Sequence, residues 1–422
     1  MVQTSRHPSV APGPTASLSL FGRHGYPVGV ASRDLRFDFM RGFAMLSVMA
    51  AHLEFFSWFN FLFWERLGFI SAAELFVVAS GLVLGLVNRK VADREGLGAV
   101  TRRLLRRAWL LYRALVVTVL LVVVIARLGV LDMTALTTFT DRWAGVSFPM
   151  IPPPEMPWLQ QLWLVLLMRV APHQIQILGL YVVLIALAPV LVWLLHRRML
   201  GVYFAATWAL YALGWWLPVD TQLLGMQFEY AFPPLMYQVF FTHALAVGYF
   251  REEIAARLAD PSLRRLVVGG AVVVALAFLV AAQTTPNPTF PAWSRLGSLP
   301  GEAWQAFYDT WLVKKNPSPL RLLNVAAFFA AFYALLTWFW APIHRALGWL
   351  LIPLGEASLY VFLMHLVFIA LIDQIPGYFD AIPDWQHVWP GRIWINTALY
   401  LGTVLALWLL VRNKVLFRVV PR

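Results

Sequence analysis

The 422-residue chain contains no cysteine, which removes disulfides, thiolate nucleophiles, cysteine-ligated zinc and iron–sulfur clusters at once. Charge is scarce as well. Only 13% of the residues are Asp, Glu, Lys or Arg, where a soluble domain carries about 25%. Hydrophobic residues reach 60%, including 20 Trp and 30 Phe, and so little charge cannot keep that much apolar surface in water. The first 30 residues, which include several Ser, Pro and Gly, lack the apolar core of a signal peptide and read as a cytoplasmic tail. There is no internal repeat, low-complexity tract or segment of soluble-domain composition. These absences leave an all-α polytopic membrane protein, with the bilayer as one partner and a net charge of +12 to be explained.

Ten apolar runs of 17 or more residues are present: Phe37 to Phe59, Phe69 to Val87, Ala108 to Ala126, Ile175 to Leu195, Met199 to Leu217, Phe232 to Phe250, Leu266 to Ala282, Leu322 to Trp340, Leu347 to Ile372 and Ile393 to Val411. Each is long enough to cross about 30 Å of hydrocarbon as a helix, the shortest with local thinning. Placing the N-terminus in the cytoplasm puts 24 of the 33 Lys and Arg on that side and leaves nine outside. The excess charge is then a topogenic signal, both termini are cytoplasmic, and nucleic acid is no partner. Trp158 to Met168 is apolar but too short, and counting it as a span would move every later basic cluster outside; it reads as interfacial or re-entrant. The expected organisation is a flexible tail over 1–32, one transmembrane unit over 33–411 and a cytoplasmic tail over 412–422. The outer loops 127–174, 283–321 and 373–392 are rich in Trp, which suits sugar-binding platforms or an aromatic belt at the headgroups.

Ionisable residues inside spans are costly and therefore functional candidates. The first span carries Asp38, Arg41, His52 and Glu54, the second Glu74, the third Arg113, the sixth His243, and the ninth Glu356 and His365. Arg41 and His52 are eleven residues apart, so on a helix they project within about 20° of each other and about 16 Å apart. They face one channel, with His52 near mid-bilayer as a general base. Glu54 projects about 200° from His52, which leaves Glu74 as the expected carboxylate to orient it. Ser358 and His365 share a face but stand about 10 Å apart, too far for a Ser-His pair; Ser358 reads as packing and His365 as a substrate-channel group. Gly81 and Gly85 have close-packing spacing. Arg102, Arg103, Arg106 and Arg107 form two adjacent helical columns that suit the phosphates of coenzyme A, although topology and anionic lipid also call for basic residues there.

The stretch RDLRFDFMRGFAMLSVMAAH, Arg33 to His52, resembles the start of the OpgC family of membrane acyltransferases, within the acyltransferase-3 group whose signature is Arg, ten residues, His. Further matching stretches are SAAELFVVASG from Ser71, ILGLY from Ile177, FPPLMYQVFF from Phe232 and LGEASLYVFLMH from Leu354. The chain departs from the family pattern at Gln176 to Tyr181, where Asp-x-Leu-Pro-Leu-Tyr is usual, at Tyr237-Gln238 for Trp-Gln, and at Ala51 for an acidic residue. The resemblance implies a ten-helix bacterial inner-membrane enzyme moving an acyl group, typically succinyl, from cytoplasmic coenzyme A to a hydroxyl of osmoregulated periplasmic glucan. On this reading His52 is base or transient acyl carrier, with Glu74, the carboxylate that helix geometry leaves, to orient it. Substrate contacts fall to Asp38, Arg41, Arg113, Tyr181, Gln238 and His365, and acyl-CoA phosphates to the four arginines. No metal or permanently bound cofactor is expected. Two other readings keep the same residues: an acetyltransferase acting on another sugar or a lipid-linked glycan, and a proton-coupled transporter.

Overall fold

A computed structural model describes residues 25–27, 33–141, 146–218, 221–284, 289–297, 301–378 and 385–422. The tail expected over 1–32 lies outside them apart from residues 25–27. In chain order the helices are α1 (Leu35–His52), α2 (Ala72–Glu95), α3 (Leu97–Leu128), α4 (Thr134–Thr137), α5 (Trp158–Leu166), α6 (Ile177–His196), α7 (Leu200–Trp216), α8 (Pro234–Tyr249) and α9 (Arg251–Arg257). They continue with α10 (Pro261–Gln283), α11 (Gly301–Trp311), α12 (Pro319–Trp338), α13 (Trp340–Ile343), α14 (Trp349–Glu356), α15 (Ser358–Asp373), α16 (Trp385–Val388) and α17 (Arg392–Arg412). The fold is mainly helical. Its one departure from all-α, among the described residues, is an antiparallel ribbon of β1 (Thr138–Asp141) and β2 (Val146–Pro149) in the loop after α3.

Six helical segments are long and apolar enough to cross a bilayer: α2, α3, His173–His196, α10, α12 and α17. A seventh is the pair Trp340–Glu356 and Ser358–Asp373, bent by 91°, so the run Leu347 to Ile372 is not one straight span. The bend falls at Ala357 and makes Ser358 the first residue of α15. The other three runs are helical but fall short of that test. α1 stops at 18 residues and carries Arg36, Asp38 and Arg41, while α7 and α8 are 17 and 16 residues long. α1 ends at His52 because Leu53 caps it and Glu54 turns to a left-handed φ of 50°, so the run to Phe59 is not continuous helix. α5 has only nine residues, too few to span, and exposes Trp158 and Trp163.

Close backbone approach sets the packing, as expected between helices that gain little from burying apolar surface in lipid. Gly81 and Gly85 of α2 and Gly248 of α8 lie where backbones meet: a Cβ at Gly85 would sit 2.1 Å from the Leu245 carbonyl, and one at Gly248 2.0 Å from that of Leu82. Likewise a Cβ at Gly42 of α1 would meet the Leu351 carbonyl at 1.9 Å, and one at Gly355 the Asp38 carbonyl at 1.8 Å. Thus α14 lies directly on α1 and delivers the start of α15 beside Arg41.

Two clusters of buried charge are paired. Arg321 of α12 is fully buried; its Nε lies 2.5 Å from Glu74 Oε1 and its Nη2 2.7 Å from Glu65 Oε1. It also donates to the Leu312 carbonyl. Glu74 is at once a helix cap, accepting from the Ser71 amide at 2.8 Å. At the opposite face Asp34 caps α1 and accepts from Arg36 at 2.7 Å and Arg251 at 2.5 Å. Burial would raise the Asp34 carboxyl, but the Arg36 hydrogen bond and the charges of Arg36 and Arg251 hold it below the usual value.

Two outcomes follow from this packing. Arg321→Ala strands two carboxylates and costs about 3–5 kcal/mol, which lowers the thermal midpoint in detergent, whereas replacing Arg321 and Glu74 together with apolar residues recovers part of the loss. Gly85→Leu yields no monodisperse protein on size exclusion, because α2 and α8 cannot approach.

Candidate active site

One end of the bundle gathers Arg103, Arg106 and Arg107 and is called the basic face here; the other gathers Trp58, Trp293, Trp385, Trp389 and Trp394 and is the aromatic face. From the basic face a cleft of about 400 Å³ runs between α2, α3, α6 and α15. Its mouth holds Arg103, Arg106 and Arg107, its wall Arg41, Ser358, Tyr181 and Ser80, and its inner end Phe76 and Phe362. Arg102 is not in the lining, since it leaves α3 about 100° away from Arg103.

Arg41 donates to Ser358 Oγ at 2.5 Å. Its other contact is Asp38 at 3.8 Å, but Asp38 is held more closely by Arg33 at 2.6 Å. The uncapped N-terminus of α15 adds the positive end of a helix dipole beside this guanidinium. Tyr181 and Ser80 approach each other at 3.5 Å across the wall. The cleft thus offers cations at its mouth, an apolar middle and one directed cation at depth.

Beyond Phe362 lies the histidine cluster. The Phe362 ring is 6.2 Å from that of His52 and 5.3 Å from that of His365. His52 Nδ1 and His365 Nε2 are 2.9 Å apart, and His365 Nδ1 meets the Phe362 carbonyl at 2.5 Å. α1 and α15 therefore run parallel, Arg41 meeting Ser358 near one end and His52 meeting His365 near the other. The hydrogen bonds fix the tautomers: a carbonyl only accepts, so His365 carries its proton on Nδ1 and accepts on Nε2. His52 must then carry its proton on Nδ1, which leaves the Nε2 lone pair for chemistry. His365 positions His52 and does not line the cleft.

A second pair stands beside the first. His173, in the turn before α6, places Nε2 2.5 Å from Glu54 Oε1, and its ring lies 6.5 Å from that of His52. Among the described residues, no group of three or more His, Asp or Glu side chains is arranged to hold a metal ion.

Several expected site residues go elsewhere. Glu74 does not orient His52; it is bound into the pair with Arg321, which gives a buried carboxylate the counterion it needs. Gln238 donates to the Thr207 and Leu235 carbonyls at 2.9 and 3.1 Å, bonding α8 to α7. Arg113 lines a separate lateral groove of about 650 Å³ with Arg418 and apolar residues of α3 and α15. His243 is held between Phe204, Trp208 and the Val239 carbonyl. The aromatic face is a contiguous cluster, with Trp385 and Trp389 stacked at 4.4 Å and Phe61 and Trp293 at 5.4 Å. Its members Trp293 and Trp394 are exposed.

The sequence pattern does not single out His173, although it lies four residues before the matching stretch ILGLY from Ile177. Helical periodicity separates Glu54 from His52, but that periodicity does not extend past the end of α1. The apolar pattern carries no signal that the helix ends at His52, two residues before Glu54.

No curated protein and no solved structure matches the chain. Residues 33–418 match the OpgC protein family over nearly the whole length, and the chain belongs to that family.

Proposed function

We propose that this protein transfers an acyl group, succinyl, from cytoplasmic acyl-coenzyme A to a hydroxyl of periplasmic glucan. Membership in the OpgC family implies a glucan-modifying acyltransferase. The observation that carries the finer reading is the cleft lined by three arginines and by Arg41, with the Phe362 ring between its lining and His52. Its chemistry suits an anionic donor with a slender, mainly apolar arm. Phosphates fit Arg103, Arg106 and Arg107, the arm fits the wall of Leu and Ile side chains, and Arg41 with the α15 N-terminus fits a carboxylate or thioester oxygen. The basic face is then cytoplasmic, with both termini on that side and the aromatic face turned to the periplasm, where Trp rings suit the apolar faces of sugars.

A thioester is already activated, so the protein has to supply a lone pair, a route for the proton and a restrained geometry. His52 offers Nε2 as base or transient acyl carrier, and its Nδ1 proton has His365 Nε2 as a ready acceptor. The pair is neutral at rest, which suits a region of low dielectric. Nothing in this division of parts calls for a metal or a resident cofactor; acyl-coenzyme A enters as a substrate.

His52→Ala abolishes acyl transfer while leaving the thermal midpoint within a few degrees of the parent, measured as thiol release from succinyl-coenzyme A with glucan present. Transfer by this variant at the parental rate contradicts the proposal. Arg103→Ala or Arg106→Ala raises KM for the thioester, whereas Arg102→Ala, outside the cleft, leaves it unchanged. Equal effects at Arg102 and Arg103 point to a general surface charge in place of a site.

A further inference from the structure

The His52–His365 pair accounts for the donor side of the reaction, and it leaves His173 and Glu54 without a part. From their geometry we infer that His173, oriented by Glu54, is the catalytic base that deprotonates the acceptor hydroxyl. The inference rests on the acyltransferase reading above and deepens it.

Four observations support this. A carboxylate oxygen of Glu54 lies 2.5 Å from His173 Nε2, and its negative charge disfavours a lone pair there, so the proton belongs on Nε2 and the lone pair on Nδ1. That Nδ1 is buried and has no hydrogen-bond partner among the described residues, a state with a cost unless a ligand donates to it. The imidazoles of His173 and His52 lie 6.5 Å apart, centre to centre, in a T-shaped arrangement. A carbon on His52 Nε2 and a hydroxyl bonded to His173 Nδ1 fit a spacing of that order. Finally, Glu54 adopts a left-handed backbone at φ 50°, a conformation that is unfavourable for a non-glycine residue and persists when its surroundings hold it.

The two pairs divide one transfer into two steps. First, the His52 Nε2 lone pair attacks the thioester carbon, the C–S bond breaks, the thiolate leaves, and the His52 Nδ1 proton passes to His365 Nε2. The acyl group is now an N-acylimidazole. In the second step the acceptor O–H gives its proton to His173 Nδ1 as the oxygen attacks the acyl carbon. The C–N bond breaks, the electron pair returns to His52, and its Nδ1 recovers the proton from His365. His173 then releases its proton to solvent, so thioester and alcohol have become ester, thiolate and one proton. A single base would have to serve both faces of the acyl carbon; here each side has its own imidazole.

Purified full-length protein in detergent, given succinyl-coenzyme A and a glucan oligosaccharide, tests the division. His173→Ala is expected to release a first equivalent of thiol at the parental rate, while glucan succinylation falls by about 10²–10⁴-fold. Added imidazole restores part of that loss. His173→Gln keeps a donor for Glu54 without a basic lone pair and behaves likewise, which guards against a folding defect in the alanine variant. Glu54→Gln lowers kcat with KM for the thioester unchanged. The inference is overturned if His173→Gln succinylates glucan at the parental rate, or if it loses the first thiol equivalent as His52→Ala does. A parent protein that releases no thiol with glucan present overturns the acyltransferase reading itself, a result distinct from either.

Discussion

A hydrogen bond of 2.9 Å joins His52 at the end of α1 to His365 in the middle of α15, and the chemistry open to this chain depends on the two helices running parallel so that it forms. Two neutral imidazoles inside a membrane can share a proton without either bearing charge at rest. The bond also selects which His52 nitrogen is available. The helices are held in register by a second contact, Arg41 to Ser358, and by the glycine contacts through which α14 lies on α1. Eleven residues separate the α1 members and seven the α15 members, a difference of about 6 Å in rise that the long Arg41 side chain takes up. The bend at Ala357 serves the same end, since it places the start of α15 and not its middle beside Arg41.

The scarcity of charge gives the other ionic groups their meaning. With few ions in the chain, those away from water are matched by an opposite charge, as Arg321 is, held by backbone groups, as Glu229 and Arg66 are, or found in the cleft. Arg321 with Glu74 and Glu65 ties α12 to α2 near the aromatic face, and Asp34 with Arg36 and Arg251 ties α1 to the start of α9 at the basic face. These two clusters brace the bundle at opposite ends. Between them stand Arg41 and the paired histidines, the groups to which the proposed function gives the substrate. The same reasoning separates the arginines of α3: three border the cleft, while Arg113 lies in a lateral groove with Arg418.

Much of this was legible in the residues. The Arg-x10-His spacing placed Arg41 and His52 on one face of α1, and the seven-residue spacing placed Ser358 and His365 on one face of α15. The spacing of Gly81 and Gly85 marked a close helix approach, and the structure supplies α8 as the partner. Long-range partners were not legible. Nothing local to Glu74 shows that Arg321, distant in sequence, would meet it, and a carboxylate on the neighbouring span was therefore matched to the wrong base. Periodicity also fails where a helix stops: Glu54 left the face of His52 only on paper, because α1 ends at His52 and a left-handed turn sends Glu54 to His173. The ten apolar runs likewise became helices of unequal length, because α1 carries charge and the pair α14–α15 bends at Ala357.

Transfer through the bundle, from the basic face to the aromatic face, is the central claim, and sidedness tests it most directly. Protein reconstituted in sealed vesicles with glucan trapped inside would be given succinyl-coenzyme A outside, with the fraction of basic faces pointing outward measured by protease access. Succinylation of the trapped glucan in proportion to that fraction, lost in His52→Ala, is the predicted result. Succinylation only when thioester and glucan occupy the same side contradicts the account.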